Sequence, residues 1–123
     1  MRICVVVEVV LCLFVPACSL CANQDLYERV SPDGHWKYVS FERNCGAAAA
    51  DNLEISILPV SKKLPDDGGN AFIADYNHGA TTYAPKAEWL SARQLQITYS
   101  GKARVYKKEH KVGPIDISYV EIR

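Results

Sequence analysis

The chain has 123 residues, room for one domain, and 49% of them are hydrophobic and 23% charged, a composition that excludes disorder and collagen-like repetition. Fourteen basic residues balance 14 acidic ones, which excludes the basic excess of a general nucleic-acid binder. The balance is uneven along the chain: residues 19–75 carry five basic and nine acidic side chains, and residues 76–123 carry eight basic and four acidic, a pattern that favours mutual compensation within one fold over a two-signed surface docking to a partner.

Met1-Arg2 gives a short positive start, and Ile3 to Val15 is an apolar run interrupted only by Glu8. Pro16 ends it before Ala17-Cys18-Ser19. This is the layout of a secretory signal, and the run is too short for a comfortable transmembrane helix. Val15-Pro16-Ala17-Cys18 resembles the bacterial lipobox, which implies cleavage after Ala17 and acylation of Cys18. Such an anchor makes the membrane a partner, whereas ordinary cleavage at the same place would release a soluble periplasmic protein. Ser19 after the cysteine resembles the sorting pattern of outer-membrane lipoproteins. The expected organisation is a signal peptide over 1–17, a tether over 18–24 and a single β domain over 25–123.

The mature part reads with period two. Leu26 to Val30 runs into Ser31-Pro32-Asp33-Gly34, a tight-turn sequence, and Trp36 to Arg43 follows as a strand. Leu53, Ile55 and Ile57 alternate with Glu54 and Ser56 and stop at Pro59. Lys62 to Asn70 is a loop by composition, Ala71 to Tyr76 a short strand, and Asn77-His78-Gly79 a turn. Ala87 to Leu90 leads to Leu95, Ile97 and Tyr99, which alternate with Gln94, Gln96 and Thr98. Ala103 to His110 and Ile115 to Ile122 are expected to form a last hairpin across Val112-Gly113-Pro114. The predicted class is mainly β, an antiparallel meander of about seven short strands packed as a small sandwich or curled sheet.

Ser31-Pro32-Asp33-Gly34, Phe41-Glu42-Arg43-Asn44-Cys45-Gly46-Ala47 and Ile55-Ser56-Ile57-Leu58-Pro59 together resemble a family of small exported bacterial proteins of unknown function. Trp89-Leu90 and Leu95-Gln96-Ile97-Thr98-Tyr99 continue the likeness, which spans most of the mature chain and is most distinctive over Glu42 to Ala47. After Ala47 it departs, with Ala48-Ala49-Ala50 where such relatives carry Thr and Gly. The resemblance implies an exported location and a fold, and no mechanism.

Cys4 and Cys12 would leave with the leader, and Cys18 would carry lipid, so Cys21 and Cys45 remain as an even pair open to disulfide formation. Because Cys21 lies three residues from the anchor position, the reading favours a buried, inert thiol at Cys45. A nucleophilic Cys45 would need a base such as His35, His78 or His110 beside it, and no protease or oxidoreductase spacing surrounds it. The three histidines have no paired ligand spacing, and Asp66-Asp67-Gly68-Gly69-Asn70 lacks the alternating ligands of a calcium loop, so no metal or other cofactor is expected. Arg104, Tyr106 and Lys108 would share one strand face and could meet an anionic surface; lysines there also serve to guard an exposed sheet edge.

These observations favour an envelope lipoprotein, at the outer membrane or in the periplasm, whose β domain is a non-enzymatic interaction or structural unit with an unknown envelope protein as partner. The alternatives are an exported enzyme using Cys45 with a histidine, and a soluble periplasmic ligand binder with an enclosed apolar pocket.

Overall fold

The computed structural model describes residues 21–46, 52–75 and 84–123. Cys18, Ala17 and His78, and with them the leader, the lipidation site and one candidate base, lie outside the described residues. Nine strands follow in chain order: β1 (Ala22–Val30), β2 (Trp36–Asn44), β3 (Asn52–Pro59), β4 (Phe72–Asp75), β5 (Lys86–Ser91), β6 (Gln94–Ser100), β7 (Arg104–Lys108), β8 (Lys111–Val112) and β9 (Ile115–Ile122). They form two sheets, ordered β1-β2-β3-β4-β7 and β5-β6-β9-β8. The fold is the small β sandwich that the alternation predicts, with more strands than the pattern resolves.

The sandwich follows from period-two burial. Tyr38, Ile55, Ile57, Phe72 and Ala74 point inward from the first sheet, and Leu95, Ile97, Tyr99, Ile115 and Ile117 from the second. Each fully buried aliphatic or aromatic side chain contributes roughly 1.5–3 kcal/mol. The Phe72 ring centroid lies 5.4 Å from that of Tyr99 and 5.9 Å from that of Tyr119, fixing the layers against each other.

A second, smaller core lies on the outer face of the first sheet. Val39, Phe41 and Leu58 gather there with Leu64, which comes from the β3–β4 connection. That connection is bound to the sheet it crosses. Asn70 accepts from the Ile57 N–H at 2.8 Å and donates to the Ile57 carbonyl at 2.9 Å, as a neighbouring strand would. Glu54, 2% exposed, accepts the Gly69 N–H at 2.7 Å. Gly69 has no room for a side chain: a Cβ there would sit 2.9 Å from the Phe72 carbonyl oxygen and 3.0 Å from that of Ile55.

Three expectations are corrected. The chain joins the sheet at Ala22 rather than after a tether ending at residue 24, because Cys21 is bonded to Cys45 at the far end of β2. Asn23 then donates to the Pro65 and Asp67 carbonyls, at 3.1 and 2.9 Å. Cys45 is therefore a half-buried disulfide partner and not an inert thiol. Nor do the last two predicted strands pair with each other. β7 joins β4 in the first sheet, while β9 lies parallel to β6 in the second, so the arrangement is not a pure meander. Only the two-residue β8 makes a hairpin with β9, across a turn in which Gly113 has φ 57°.

Candidate docking face

The Ser31-Pro32-Asp33-Gly34 turn sets the geometry of the first edge. The Gly34 N–H donates to the Ser31 carbonyl at 2.9 Å, and Gly34 takes φ 78°, a left-handed value that glycine adopts freely. The Ser31 hydroxyl bonds to the Asp33 carboxylate at 2.8 Å, and the His35 N–H donates to the same carboxylate at 3.1 Å. These bonds, the Ser31 hydroxyl foremost, hold the Asp33 carboxyl below its ordinary pKa. The turn sends β2 back antiparallel to β1, setting Tyr27 beside Ser40 and Arg29 beside Tyr38.

Those four side chains face the second sheet at its β5 edge, where Ala87 and Trp89 turn inward. Between the two edges runs an open groove of about 1230 Å³, lined chiefly by Leu26, Tyr27, Val30, Tyr38, Ala87 and Trp89. Tyr27 and Tyr38 ring centroids are 6.1 Å apart, and those of Tyr38 and Trp89 6.3 Å, so the floor is an aromatic row. The Tyr38 hydroxyl donates to the Ala87 carbonyl at 2.9 Å and the Trp89 indole N–H to the Arg29 carbonyl at 3.0 Å, bridging the sheets. Burial raises the Tyr38 phenol pKa, so the group stays a neutral donor. The Arg29 guanidinium lies over the Tyr27 ring and bonds its hydroxyl.

The two edges of the first sheet carry different side chains. At one, β7 presents Arg104, Lys107 and Lys108 and is broken by a register shift, the usual means of discouraging strand addition. At the other, β1 exposes Leu26, Tyr27 and Val30, and the nearby β5 exposes Leu90 at 52%. β1 also exposes Asp25, Glu28 and Arg29 and has its own register shift at Leu26, so what marks a contact surface here is the exposed apolar cluster beside the groove.

The basic strand does not keep the face expected of it. The shift falls at Tyr106, so Arg104 pairs with Asp75 while Lys108 pairs with the inward-facing Phe72. A bulge residue turns the following side chains to the other face. Lys108 accordingly reaches inward, donating to the Tyr99 hydroxyl at 3.1 Å and standing 5.3 and 5.2 Å from the Tyr99 and Tyr119 ring centroids. Lys107 donates to the Gly69 carbonyl at 3.1 Å, and Lys111 pairs with Asp116 at 3.0 Å. Arg104 and Lys108 thus do not share one strand face, although Arg104, Tyr106 and Lys108 are all exposed.

The other candidates are engaged structurally. The Cys45 sulfur is bonded to that of Cys21 and in this form has no thiolate to attack with. His35 pairs with Asp33 at 3.3 Å, and the His110 ring packs edge-on against Tyr119 at 5.5 Å. Asp66 faces Arg43 at 3.3 Å, and the Asp67 carboxylate accepts the Gly68 N–H at 2.8 Å. Among the described residues no three His, Cys, Asp or Glu side chains are grouped to hold a metal ion. The groove at the edge of the sheets is open rather than enclosed.

Tyr27, Tyr38 and Trp89 were not singled out by sequence as site residues. The available signal was the strand Lys86-Ala87-Glu88-Trp89-Leu90, whose polar positions alternate with a large aromatic and which ends in an exposed leucine. No family model, curated protein or solved structure matches the chain.

Proposed function

We propose that this chain is an exported bacterial envelope protein, anchored through an acylated Cys18, whose β sandwich is a non-enzymatic interaction domain that docks a partner at the groove between β1 and β5. The observation that carries the docking reading is the open groove floored by Tyr27, Tyr38 and Trp89, with Leu26, Val30 and Leu90 exposed beside it. Export is supported by the apolar leader and by a disulfide that begins at the first described residue, since such bonds persist in oxidising compartments. The resemblance to small exported bacterial proteins agrees with export.

The docking reading is tested with a photo-crosslinking side chain installed at Leu26 in the native host, and at Tyr106 as control. A discrete adduct from position 26 and none from 106 is expected; equal labelling from both overturns the assignment of the face. Intact-mass measurement of the membrane fraction tests the anchor. A chain beginning at acylated Cys18 is expected, and an unprocessed chain in the soluble fraction overturns export.

A further inference from the structure

We infer that the partner at this face is a second copy of the same chain, joined antiparallel along β5 about a two-fold axis at Ala87. The inference names the partner for the docking face and rests on that reading. β5 is a terminal strand of its sheet, paired with β6 on one side alone among the described strands. A terminal strand offers a row of backbone groups on which another strand can form. A two-fold contact requires a surface complementary to itself.

The segment Lys86-Ala87-Glu88 meets that requirement. Lys86 and Glu88 are both exposed and both lie on the outer face of β5, with Ala87 between them turned inward. In antiparallel pairing about Ala87, each copy's Lys86 stands opposite Glu88 of the other, so two reciprocal ion pairs form on one face. Directly opposed residues in such pairs lie within about 5.5 Å at Cβ, close enough for opposite charges to attract and for like charges to repel. Ala87 meets Ala87 at the axis, where a small side chain causes no clash. The same register sets Trp89 opposite Pro85, beside the groove, and regular pairing ends at Leu90, where β5 has its own bulge, leaving that exposed leucine at the margin of the contact. The Ala87 carbonyl that accepts the Tyr38 hydroxyl keeps a second lone pair.

The other terminal strands lack this property. Antiparallel self-pairing of β7 about Tyr106 would oppose Arg104 to Lys108, cation against cation. On β1 the bulge at Leu26 puts Asp25 and Arg29 on opposite faces, so they cannot pair reciprocally. β8 has two residues. Charge complementarity therefore selects β5.

The test is sedimentation velocity on the purified protein, disulfide intact, together with Lys86→Glu, Glu88→Lys and the double swap. Both side chains are exposed, so the variants retain the far-ultraviolet spectrum of the parent. The parent is expected to dimerise, and each single variant to weaken the dimer by about tenfold or more, by setting like charges opposite. The double swap restores the homodimer, and mixing the two single variants gives a heterodimer. A parent that stays monomeric at every concentration overturns the inference, as does dimerisation indifferent to the swaps. A photo-crosslinker at Leu90 separates the two readings. An adduct of twice the chain mass supports self-pairing; an adduct of another mass overturns the second copy while the docking face stands; no adduct from Leu26 or Leu90 overturns the face itself.

Discussion

The indole N–H of Trp89 donates to the backbone carbonyl of Arg29 at 3.0 Å, tying the free edge of one sheet to the free edge of the other. Trp89→Phe keeps an aromatic ring in the groove and removes the bond. A loss of about 1 kcal/mol is expected, the usual net worth of such a hydrogen bond. Urea unfolding followed by circular dichroism measures it, and an unchanged midpoint would show that the bridge adds nothing to the sandwich.

Gly69 and Gly101 should respond differently to alanine. At Gly69 the new Cβ meets two backbone carbonyl oxygens within 3.0 Å, and neither can yield without moving a strand. Gly69→Ala is expected to cost roughly 1–3 kcal/mol by overpacking and to release the β3–β4 connection. At Gly101 the nearest atom is a carboxylate oxygen of Glu121, 2.5 Å away, which can swing clear on a flexible side chain. Its substitution should cost less. Amide hydrogen exchange across residues 60–71 reads the first effect, and a larger loss at Gly101 than at Gly69 would contradict the account.

The Cys21–Cys45 bond closes a loop with a sequence separation of 24. Chain-entropy arguments assign a crosslink of that span about 3 kcal/mol. The double variant Cys21→Ser, Cys45→Ser should lose stability of that order, and reductant should lower the unfolding midpoint of the parent alone. Asn23, held between the Arg43 guanidinium and the Pro65 and Asp67 carbonyls, should be among the first residues loosened. Chemical denaturation with and without reductant decides the matter.

Two titrations have opposite signs. The folded Asp33 carboxyl lies below its ordinary 3.8, chiefly through the Ser31 hydroxyl. Its contribution is therefore present above the unfolded value and is lost as pH falls through the folded one. Asp33→Asn should flatten the acid limb of the stability profile. The Tyr119 phenol is pushed well above 10, first by burial and then by Glu109 and Tyr99. Its share is intact below the unfolded value and is lost as pH rises past it toward the folded one. Absorbance titration should show late tyrosine ionisation that diminishes in Tyr119→Phe, leaving the raised Tyr38 phenol. Ordinary ionisation of every tyrosine would refute this.

The alternation of Leu53, Ile55 and Ile57, and of Leu95, Ile97 and Tyr99, made the two sheet interiors legible in the sequence, because burial on one face imposes period two. The parallel β6–β9 pair was not legible, since adjacent positions in the chain carry no sign of which sheet each strand will join. The bulge at Tyr106 was hidden for a related reason: one extra residue reverses the faces after it without altering local composition. Residues 62–70 read as a loop, and nothing in their polarity announced that Asn70 would bond to β3 as a strand does. The groove has no signature in the sequence because it belongs to no single segment. Tyr27, Tyr38 and Trp89 become neighbours only when the sheets stack.

The strand order β5-β6-β9-β8 carries a consequence for biogenesis. β9 is the ninth strand to be made, yet it is an inner one, with β6 and β8 on either side. Until it arrives, the second sheet has a gap, and Ile115 and Ile117 are missing from the shared interior. A chain emerging in order from the ribosome can form the β1–β2–β3 hairpins early but cannot close its sandwich until residue 122 is free. Such a domain becomes rigid only when its last strand is free.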